Sequence, residues 1–409
     1  MANSFSRYNK LKVNLKNSIE FLDLGLQPLA NNYQKKTHRK KKEKKYRLKI
    51  LFDKKNKLVS IKDTFSSKMM FNDKYPYRSS MSSTMLTSFK KLSNELKKNY
   101  KPKKILEIGS NDGSFLRNFS KKITIGIEPC SNIEKITKKK GFDTYAEYWT
   151  KKLAKKLVKK YQNVDLIYSA NTITHIKNLD QVFKSILLIL SKNGKLIIED
   201  PSLLNCLKNN TYDQFYNEHI YVFSLIALEK NILKYDLQVF KVQNLAVHGG
   251  STRYFIKRKS SKIKIENSVK QQRNKEIKFG LDKIKTYKSF AKRVINNKKK
   301  LIEIFDRLKS KNKKIIGYGA TAKSTTILNY CNIKNDYISY FLDTTKDKQN
   351  KLLPGTKIPI VKYQGGIPKK IDFVFLGAWN FKKEIFKKEK KFILNGGKFI
   401  IHTPIPKII

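Results

Sequence analysis

Residues 106–116 read LEIGSNDGSFL, and this stretch decides the fold. A short apolar strand runs into Gly109, a polar turn follows, and Gly113 precedes an apolar segment that predicts a helix. Glycine lets a backbone turn tightly and approach a ligand where a side chain would clash. The stretch therefore predicts a strand, a ligand-facing turn and a helix in succession.

The chain that follows repeats this alternation of strands and helices. Strands are predicted at 123–129, 165–171 and 195–201, with helical segments between them. This spacing is typical of an α/β fold with a parallel, doubly wound sheet. In such sheets ligands bind at the carboxyl ends of the strands. Glu128 lies at the end of the second strand, nineteen residues after Gly109, where a carboxylate can accept hydrogen bonds from both hydroxyls of a ribose.

The spacing of the two glycines distinguishes between possible ligands. A dinucleotide fingerprint requires G-x-G-x-x-G, whereas this turn has G-x-x-x-G and carries Asp112. An acidic turn is unfavourable for a pyrophosphate but suits the positively charged methionine portion of S-adenosylmethionine. The pattern favours S-adenosylmethionine, with a dinucleotide site and a turn without any ligand as the alternatives.

Composition and apolar spacing divide the rest of the chain. The segments YRLKILFD and KLVSIKDTF predict two strands joined by a polar turn, so a small β-hairpin domain is expected at the start. Apolar residues spaced by three and four over 262–312 predict a long amphipathic helix, broken near Asn296–Asn297. Four more strands with helices between them follow. The predicted domains are 1–70, 71–260, a helical bridge over 261–312, and a second αβ domain over 313–409.

The net charge of +57 raises the question of a nucleic-acid partner. Only ten of the 89 basic residues are arginine, the residue that base reading and bidentate phosphate contacts favour. The lysines are spread along the whole chain. The charge therefore indicates a compositional bias of the source more than a selected polyanion surface, and no specific nucleic-acid partner is expected.

Membrane segments and metal sites are not indicated by the sequence. No apolar run approaches the ~20 residues that span a bilayer, and the amino terminus lacks the apolar segment of a signal peptide. We therefore expect a cytoplasmic protein without membrane association. Cys130, Cys206 and Cys331 lie far apart and form no CxxC pair, so neither a disulfide framework nor a zinc site is predicted.

Ten stretches, taken in order, resemble the three-domain C-methyltransferases that act on nucleotide-linked 4-keto deoxysugars. The resemblance covers nearly the whole chain. The stretches are DLGLQPLANNY (23–33), YPYRSSMSSTM (75–85), LEIGSNDGSFL (106–116), GIEP (126–129), ANTITHI (170–176), YDQFYNEHIYVFS (212–224), VHGGSTRYF (247–255), GYGATAKSTTILNY (317–330), LPGTKIPI (353–360) and LGAWNF (376–381).

This resemblance implies the architecture and the methyl donor. A class I methyltransferase doubly wound sheet would lie between a small amino-terminal domain and a carboxyl-terminal Rossmann-like αβ domain, with S-adenosylmethionine as cofactor. The family's amino-terminal domain normally holds zinc on four cysteines, but this chain has no cysteine before Cys130, so we expect no zinc. The expected cofactor-binding residues are Gly109, Asn111, Asp112, Gly113, Glu128 and Asn171.

The segment 216–219 matches the family's Y-x-E-H segment, whose tyrosine, glutamate and histidine line the active site. The resemblance implies that Tyr216, Glu218, His219 and His175 are catalytic. Removing a proton from a carbon beside a ketone needs a base, and histidine, with an ordinary pKa of about 6.5, suits this role near neutrality. We expect His219 as the base, oriented or tuned by Glu218, and Tyr216 or His175 as donor to the enolate oxygen. The sequence does not separate the two histidines in the role of base.

The second glycine-rich turn, GYGATAKSTT, opens the last domain and does not match a P-loop. The resemblance implies that this domain helps to hold the nucleotide-linked sugar, with Lys323 as a candidate diphosphate contact. A purely structural turn is the alternative. Tyr75, Tyr77 and Arg253 are the other candidate substrate contacts.

The sequence thus predicts an S-adenosylmethionine-dependent C-methyltransferase of nucleotide-linked keto-deoxysugars. Two alternatives stay open. One is a methyltransferase of the same fold that modifies oxygen or nitrogen on another acceptor. The other is a non-catalytic scaffold in sugar biosynthesis.

Overall fold

The computed structural model describes residues 11–12, 17–38 and 42–409. The first residues of the domain predicted over 1–70, and part of its basic stretch, therefore lie outside the described residues. Strands β1–β6 and one short helix form its described part: β1 (Leu11–Lys12), β2 (Ser18–Gln27), β3 (Gln34–Lys35), β4 (Tyr46–Asp53), β5 (Val59–Ile61), β6 (Asp63–Thr64) and α1 (Ser67–Met70). The two strands predicted from YRLKILFD and KLVSIKDTF are confirmed as β4 and β5, with β6 as a short continuation.

The central region contains the predicted alternation of strands and helices. Its elements are α2 (Ser83–Tyr100), β7 (Ile105–Ile108), β8 (Thr124–Ile127), α3 (Ser131–Lys139), β9 (Asp143–Tyr145), α4 (Lys151–Tyr161), β10 (Val164–Ala170), α5 (Leu179–Ile189), β11 (Leu190–Pro201), α6 (Leu203–Lys208), β12 (Tyr221–Val222), α7 (Leu225–Ile232), β13 (Leu237–Leu245) and β14 (Ser251–Arg258). Seven of the strands form one sheet in the order β13-β14-β11-β10-β7-β8-β9. The five strands from β7 to β11 are parallel, and β14 runs antiparallel to both of its neighbours. The predicted doubly wound sheet is confirmed.

One predicted helix of this region is shorter than expected. The segment after Gly113 contains only a 3-10 turn over Leu116–Asn118 rather than a regular helix. The side-chain amide of Asn118 donates to the carbonyl oxygens of Ser114 and Phe115, at 3.2 and 2.9 Å. Such local bonds from an asparagine side chain compete with helical backbone bonds, so the helix does not continue.

The helical bridge and the last domain complete the chain. Their elements are α8 (Asn267–Phe279), α9 (Ile284–Ser310), β15 (Ile315–Tyr318), α10 (Ala322–Tyr330), β16 (Phe341–Asp343), β17 (Lys351–Leu352), β18 (Ile360–Lys362), β19 (Phe373–Leu376), α11 (Lys382–Lys388), α12 (Lys390–Leu394), β20 (Lys398–Ile401) and β21 (Lys407–Ile408). The sheet order is β18-β16-β15-β19-β20-β21, and only the pairing of β21 is antiparallel. This arrangement is the Rossmann-like αβ unit that was expected at this end of the chain.

The break in the bridge lies elsewhere than predicted. The chain leaves the helix at Gly280, which has a φ of 84°, and not near Asn296–Asn297. Glycine adopts this left-handed conformation without steric cost, so it ends α8 naturally. Asn297 lies inside the continuous helix α9, where it is buried and its side-chain amide donates to the carbonyl of Pro404 at 2.9 Å. Asn297 therefore connects the bridge to the last domain instead of interrupting the helix.

The amino-terminal domain is joined to both other domains by backbone pairing. Its larger sheet has the strand order β12-β5-β4-β2, so one of the four strands is supplied by the central region. β3 pairs with β17 of the last domain. Phe52 on β4 stacks on Tyr287 of α9, with ring centroids 4.2 Å apart. The described part of this region is thus held by strand pairing and apolar packing.

One buried apolar cluster includes side chains of the three larger sheets, among them Phe52, Ile127 and Phe341. Within the described ranges, no group of three or more His, Cys, Asp or Glu residues is placed to hold a metal ion. None of the helices that the structure describes is long and apolar enough to cross a membrane.

Candidate active site between two cavities

Two cavities share a wall in the central domain, the larger one facing the amino-terminal domain and the smaller one facing the last domain. The larger has a volume of about 1140 Å³ and is lined by the residues that follow β7, β8 and β10. The smaller, of about 510 Å³, lies between the Y-x-E-H segment and the first turns of the last domain. The residues that line both cavities are Tyr75, Tyr77, Asn171 and His175. A group in one cavity can therefore reach a group in the other at this shared wall.

The glycine turn after β7 is shaped by contacts within the protein. Gly109 lines the larger cavity with a φ of 79°, and a Cβ at this position would lie 2.0 Å from Oγ1 of Thr172. Gly113 has a φ of 76°, and its Cβ would lie 2.8 Å from Cγ2 of Thr137. Both positions require glycine because the turn, in a left-handed conformation, packs against the loop at Thr172 and against helix α3. Gly113 itself does not line the cavity.

The larger cavity has an acidic wall. Glu128 follows β8, and its carboxylate accepts hydrogen bonds from the backbone N–H groups of Asn111 and Cys130, at 3.0 and 2.9 Å. Burial raises the pKa of Glu128, and the two N–H groups oppose this effect. Sequence reasoning missed Glu107, which also lines the cavity and has a buried Oε2 without a hydrogen-bond partner. Its signal was a carboxylate inside an otherwise apolar strand.

The side chains of Asn111 and Asp112 are directed to another segment of the protein. Oδ1 of Asn111 accepts from the backbone N–H of Ser79 at 2.8 Å, and its amide donates to the carbonyl of Tyr77 at 3.2 Å. Oδ2 of Asp112 accepts from the N–H of Ser80 at 3.2 Å. Asn111 still lines the larger cavity, but Asp112 does not. The carboxylate predicted to face the methyl donor therefore holds Ser80, while the Asn111 side chain holds Tyr77 and Ser79.

Tyr216 and His219 form a hydrogen-bonded pair in the wall of the smaller cavity. The hydroxyl oxygen of Tyr216 lies 2.6 Å from Nε2 of His219, and Nδ1 of His219 lies 2.8 Å from the carbonyl oxygen of Gln214. Because a carbonyl only accepts, Nδ1 carries the hydrogen of the neutral ring and Nε2 accepts the tyrosine proton. Burial, with His175 and Lys323 nearby, lowers the pKa of His219 well below its usual value. Burial and Glu218 raise the pKa of Tyr216.

Three rings stack in a column that crosses from the larger cavity to this pair. Phe71 and His175 lie almost parallel with centroids 5.1 Å apart, and His175 and His219 are stacked at 5.2 Å. Burial lowers the pKa of His175 to about 3, so its ring is neutral at physiological pH. Its Nε2 is buried and has no hydrogen-bond partner in the structure. His175 thus offers an uncommitted nitrogen beside both cavities.

Glu218 does not orient His219, contrary to the expectation from the sequence. Its Oε1 accepts from the side-chain amide of Asn31 at 2.8 Å, and its Oε2 accepts from the hydroxyl of Tyr75 at 3.3 Å. Burial raises the pKa of Glu218 to about 7, although both of these hydrogen bonds oppose the rise. The orienting acceptor for His219 is the backbone carbonyl of Gln214. Glu218 therefore connects three segments that are distant in sequence, those that contain Asn31, Tyr75 and Glu218 itself.

Basic side chains line the opposite wall of the smaller cavity. Lys323 and Lys348 follow β15 and β16 of the last domain and Lys388 ends α11, while Arg78 reaches the cavity from the segment before α2. The ammonium of Lys348 donates to the carbonyl of Ala320 at 2.9 Å. Burial lowers the pKa of Lys323, an effect that Asp213 opposes. His248 also lines this cavity, where burial, with Lys323 nearby, lowers its pKa to about 3.

Arg253 lies outside both cavities, which corrects its assignment as a candidate substrate contact. It lies on β14, and its guanidinium is paired with the buried carboxylate of Glu199 at 2.7 Å. The hydroxyl of Tyr168 donates to the same carboxylate oxygen at 3.0 Å. Neither charged side chain is more than 4% exposed. A side chain held in this way inside the sheet is not available to a ligand.

Comparison with known families places methyltransferase domains over most of the chain. Residues 77–242 match the model of a methyltransferase domain, and residues 246–406 match that of a C-methyltransferase C-terminal domain. The chain is also similar to the C-methyltransferase NovU of Streptomyces niveus, at 29% identity over 75% of this chain and 73% of the relative. With the strand order described above, the domain match confirms the class I methyltransferase fold.

Two solved methyltransferase structures each match less than half of this chain. A methyltransferase from Thermotoga maritima, described as a possible histamine N-methyltransferase, is 20% identical and covers 42% of this chain and 88% of its own, with a TM-score of 0.33. The plantazolicin methyltransferase BpumL, solved with S-adenosylhomocysteine, is 14% identical over 43% of this chain and 86% of its own, with a TM-score of 0.34.

Proposed function

Because the chain belongs to the S-adenosylmethionine-dependent C-methyltransferases, we propose that it methylates the carbon beside the ketone of a nucleotide-linked keto-deoxysugar. The observation that carries this proposal is the Tyr216–His219 hydrogen bond in the wall of the smaller cavity, next to His175. A carbon acid needs a base of this kind, whereas an oxygen or nitrogen acceptor has a lone pair of its own. The proposal therefore includes an enolate.

The larger cavity suits the methyl donor. Glu128 lies at the end of the second parallel strand, where a carboxylate can accept from ribose hydroxyls. Glu107 has an acceptor oxygen that no protein donor uses, and it can receive the amino group of the methionine portion. Two carboxylates would repel a pyrophosphate. When bound, S-adenosylmethionine supplies an electrophilic methyl group on a sulfonium centre.

The smaller cavity suits the nucleotide-linked acceptor. Its wall combines tyrosine and histidine side chains on the central-domain side with Lys323, Lys348 and Lys388 on the other side. Lysine is a common point-charge partner of phosphate oxygens, while tyrosine and histidine can bond sugar hydroxyls and carbonyls. The two kinds of wall therefore suit the two ends of one molecule, a diphosphate and a sugar ketone.

In our proposal the proton of the carbon acid is transferred through the hydrogen-bonded pair of Tyr216 and His219. The C–H proton passes to the hydroxyl oxygen of Tyr216 while the tyrosine's own proton passes to Nε2 of His219. The imidazolium so formed keeps its Nδ1–H bond to the carbonyl of Gln214. The electron pair of the broken C–H bond becomes the enolate that accepts the methyl group. His175, with its free nitrogen, is assigned to the enolate oxygen.

The test is an isotope experiment with the full-length protein. The protein is incubated in deuterium oxide with a nucleotide 4-keto-deoxysugar, such as a thymidine-diphosphate-linked one, and the carbon beside the ketone is monitored by NMR. We expect deuterium to enter this carbon, and methyl label to follow once labelled S-adenosylmethionine is added. His219→Gln should abolish exchange and transfer together.

The matched control is binding of S-adenosylhomocysteine, measured by calorimetry on the same variant. Because His219 lines only the smaller cavity, this affinity should stay as in the wild type. If the methyl label is found on oxygen or nitrogen and no deuterium enters the carbon, the proposal is wrong and the protein methylates a different acceptor. If the wild type shows neither label transfer nor binding of S-adenosylhomocysteine, the non-catalytic scaffold is favoured.

A further inference from the structure

Residues 75–84, called the strap here, form the boundary between the two cavities. Tyr75 and Tyr77 line both cavities, and Arg78, Met81 and Ser82 line the smaller one. The strap contains one 3-10 turn over Ser79–Met81 and then enters α2. Its position means that any shift of the strap changes the walls of both cavities at once.

The donor side of the strap is held by the glycine turn after β7. Asn111 accepts from the N–H of Ser79 and donates to the carbonyl of Tyr77, and Asp112 accepts from the N–H of Ser80. Asn111 has a φ of 47° and lines the larger cavity, while its backbone N–H donates to Glu128. A single residue thus contacts the ribose-binding candidate with its backbone and the strap with its side chain.

The acceptor side of the strap is held by the last domain. The guanidinium of Arg78 is paired with the carboxylate of Asp347 at 2.8 Å. The hydroxyls of Ser83 and Thr84 lie 3.4 Å from the carboxylate of Glu384, which lines the smaller cavity. The strap is therefore connected at one side to the methyl-donor turn and at the other to the domain that faces the acceptor.

We propose that Asn111 and Asp112 are positioning residues of the acceptor cavity, and that through the strap a ligand in the larger cavity strengthens binding in the smaller one. The acceptor part of this inference rests on the proposed function. Donor binding orders the turn at Asn111, the turn holds Ser79 and Ser80, and these set the positions of Tyr77 and Arg78. By thermodynamic linkage the acceptor strengthens donor binding by the same factor.

The first experiment needs no acceptor. Hydrogen exchange of the full-length protein is measured with and without saturating S-adenosylhomocysteine. The backbone amides of Ser79 and Ser80 should exchange several-fold more slowly in the complex, because their acceptors lie on the turn that the ligand orders. Unchanged exchange at both amides would overturn the inference, whatever the acceptor proves to be. Loss of catalysis on every keto sugar would instead contradict the proposed function alone.

The second experiment measures the coupling by calorimetry. The dissociation constant of S-adenosylhomocysteine is determined with and without saturating thymidine diphosphate, and we expect it to fall at least about fivefold. Asn111→Gly keeps the left-handed backbone but removes both side-chain bonds, so the coupling should vanish and the acceptor KM should rise more than the donor KM. Asn111→Asp retains the acceptor for Ser79 and should rescue part of the coupling.

Asn312→Gly is the matched control, since Asn312 is exposed, also has a positive φ and lies far from the strap in sequence. It should leave the coupling unchanged. If Asn111→Gly does not fold, Asp347→Asn decides the question from the other side of the strap. The affinity for S-adenosylhomocysteine in the absence of thymidine diphosphate should stay unchanged in this variant. The coupling between the two ligands should be reduced. A coupling that persists fully in either folded variant would overturn the inference.

Discussion

The hydroxyl of Tyr216 donates a hydrogen bond to Nε2 of His219 over 2.6 Å, and the imidazole is fixed from behind by the carbonyl of Gln214. The nitrogen that the sequence suggested as a direct base is therefore already occupied. A substrate proton can reach it through the tyrosine oxygen. Tyr216 is for this reason as important to the proposed chemistry as His219.

Tyr216→Phe removes the hydroxyl and should lower kcat by about 10²- to 10⁴-fold, the usual contribution of a positioned proton-transfer group. Deuterium exchange at the carbon beside the ketone should fall by the same factor. Tyr337→Phe is the control, since its hydroxyl contacts Asp306 and it lines neither cavity. Full activity in Tyr216→Phe would show that His219 accepts the proton directly.

The carboxyl of Glu218 should make stability depend on pH. Burial raises its pKa from 4.5 to about 7 in the folded protein. Between these values the folded state keeps a proton that the unfolded state has lost, so the free energy of unfolding falls as pH rises through this window and then levels off. The loss is about 3 kcal/mol, because each tenfold change in an acid constant corresponds to about 1.4 kcal/mol.

Glu218→Gln lacks this titration. Its free energy of unfolding, measured with urea at pH 5 and pH 8, should change less between the two pH values than that of the wild type. The glutamine oxygen replaces only one of the two carboxylate oxygens that accept from Asn31 and Tyr75, but this loss is the same at both pH values, so the change between the two values reports the proton. Identical pH dependence in both proteins would mean that another group accounts for it.

Arg253→Leu should affect stability rather than substrate binding. The substitution leaves the carboxylate of Glu199 buried without its cation, which typically costs about 3–5 kcal/mol. Replacing Glu199 by leucine as well should recover much of this loss, and a double-mutant cycle in urea measures the recovery. The acceptor KM of the folded protein should not change. A large KM effect with unchanged stability would return Arg253 to the substrate site.

Phe71→Ala should change the titration of His175. The phenylalanine ring covers one face of the imidazole, and burial holds the pKa of His175 at about 3. With the ring removed, water reaches the imidazole and the pKa should rise toward the ordinary histidine value. NMR titration of the histidine Cε1 protons, assigned with a His175→Asn variant, reports this value. Phe71→Tyr keeps the stack and serves as the control.

The glycine turn and Glu128 could be predicted because their signal is local. A strand, a tight turn and the next strand end lie within some twenty residues, and the geometry of a parallel sheet brings their ends together. The Y-x-E-H segment was also identified from the sequence, but the contacts that its residues make with one another were not predicted. Glu218 seemed the partner of His219 because it is the preceding residue, yet its partners Asn31 and Tyr75 lie 187 and 143 residues away.

Other errors came from patterns that fit two structures equally. Arg253 lies on a strand, where consecutive side chains point to opposite faces, and only the neighbouring Glu199 on β11 shows that its face is buried. The amphipathic pattern of the bridge continues smoothly across Gly280, while Asn297 looks like a polar interruption. Its acceptor is the carbonyl of Pro404, more than a hundred residues further on.

The strand β12 gives the chain a particular order of assembly during synthesis. The amino-terminal sheet lacks its edge partner until Tyr221–Val222 emerge, about 160 residues after β5. At a translation rate of about 5–20 residues per second, this is a delay of roughly 8–30 s. β3 waits longer still, because it pairs with Lys351–Leu352. The amino-terminal domain is thus completed only after much later parts of the chain have emerged, and a nascent chain that stalls before β12 presents an open strand edge to its surroundings.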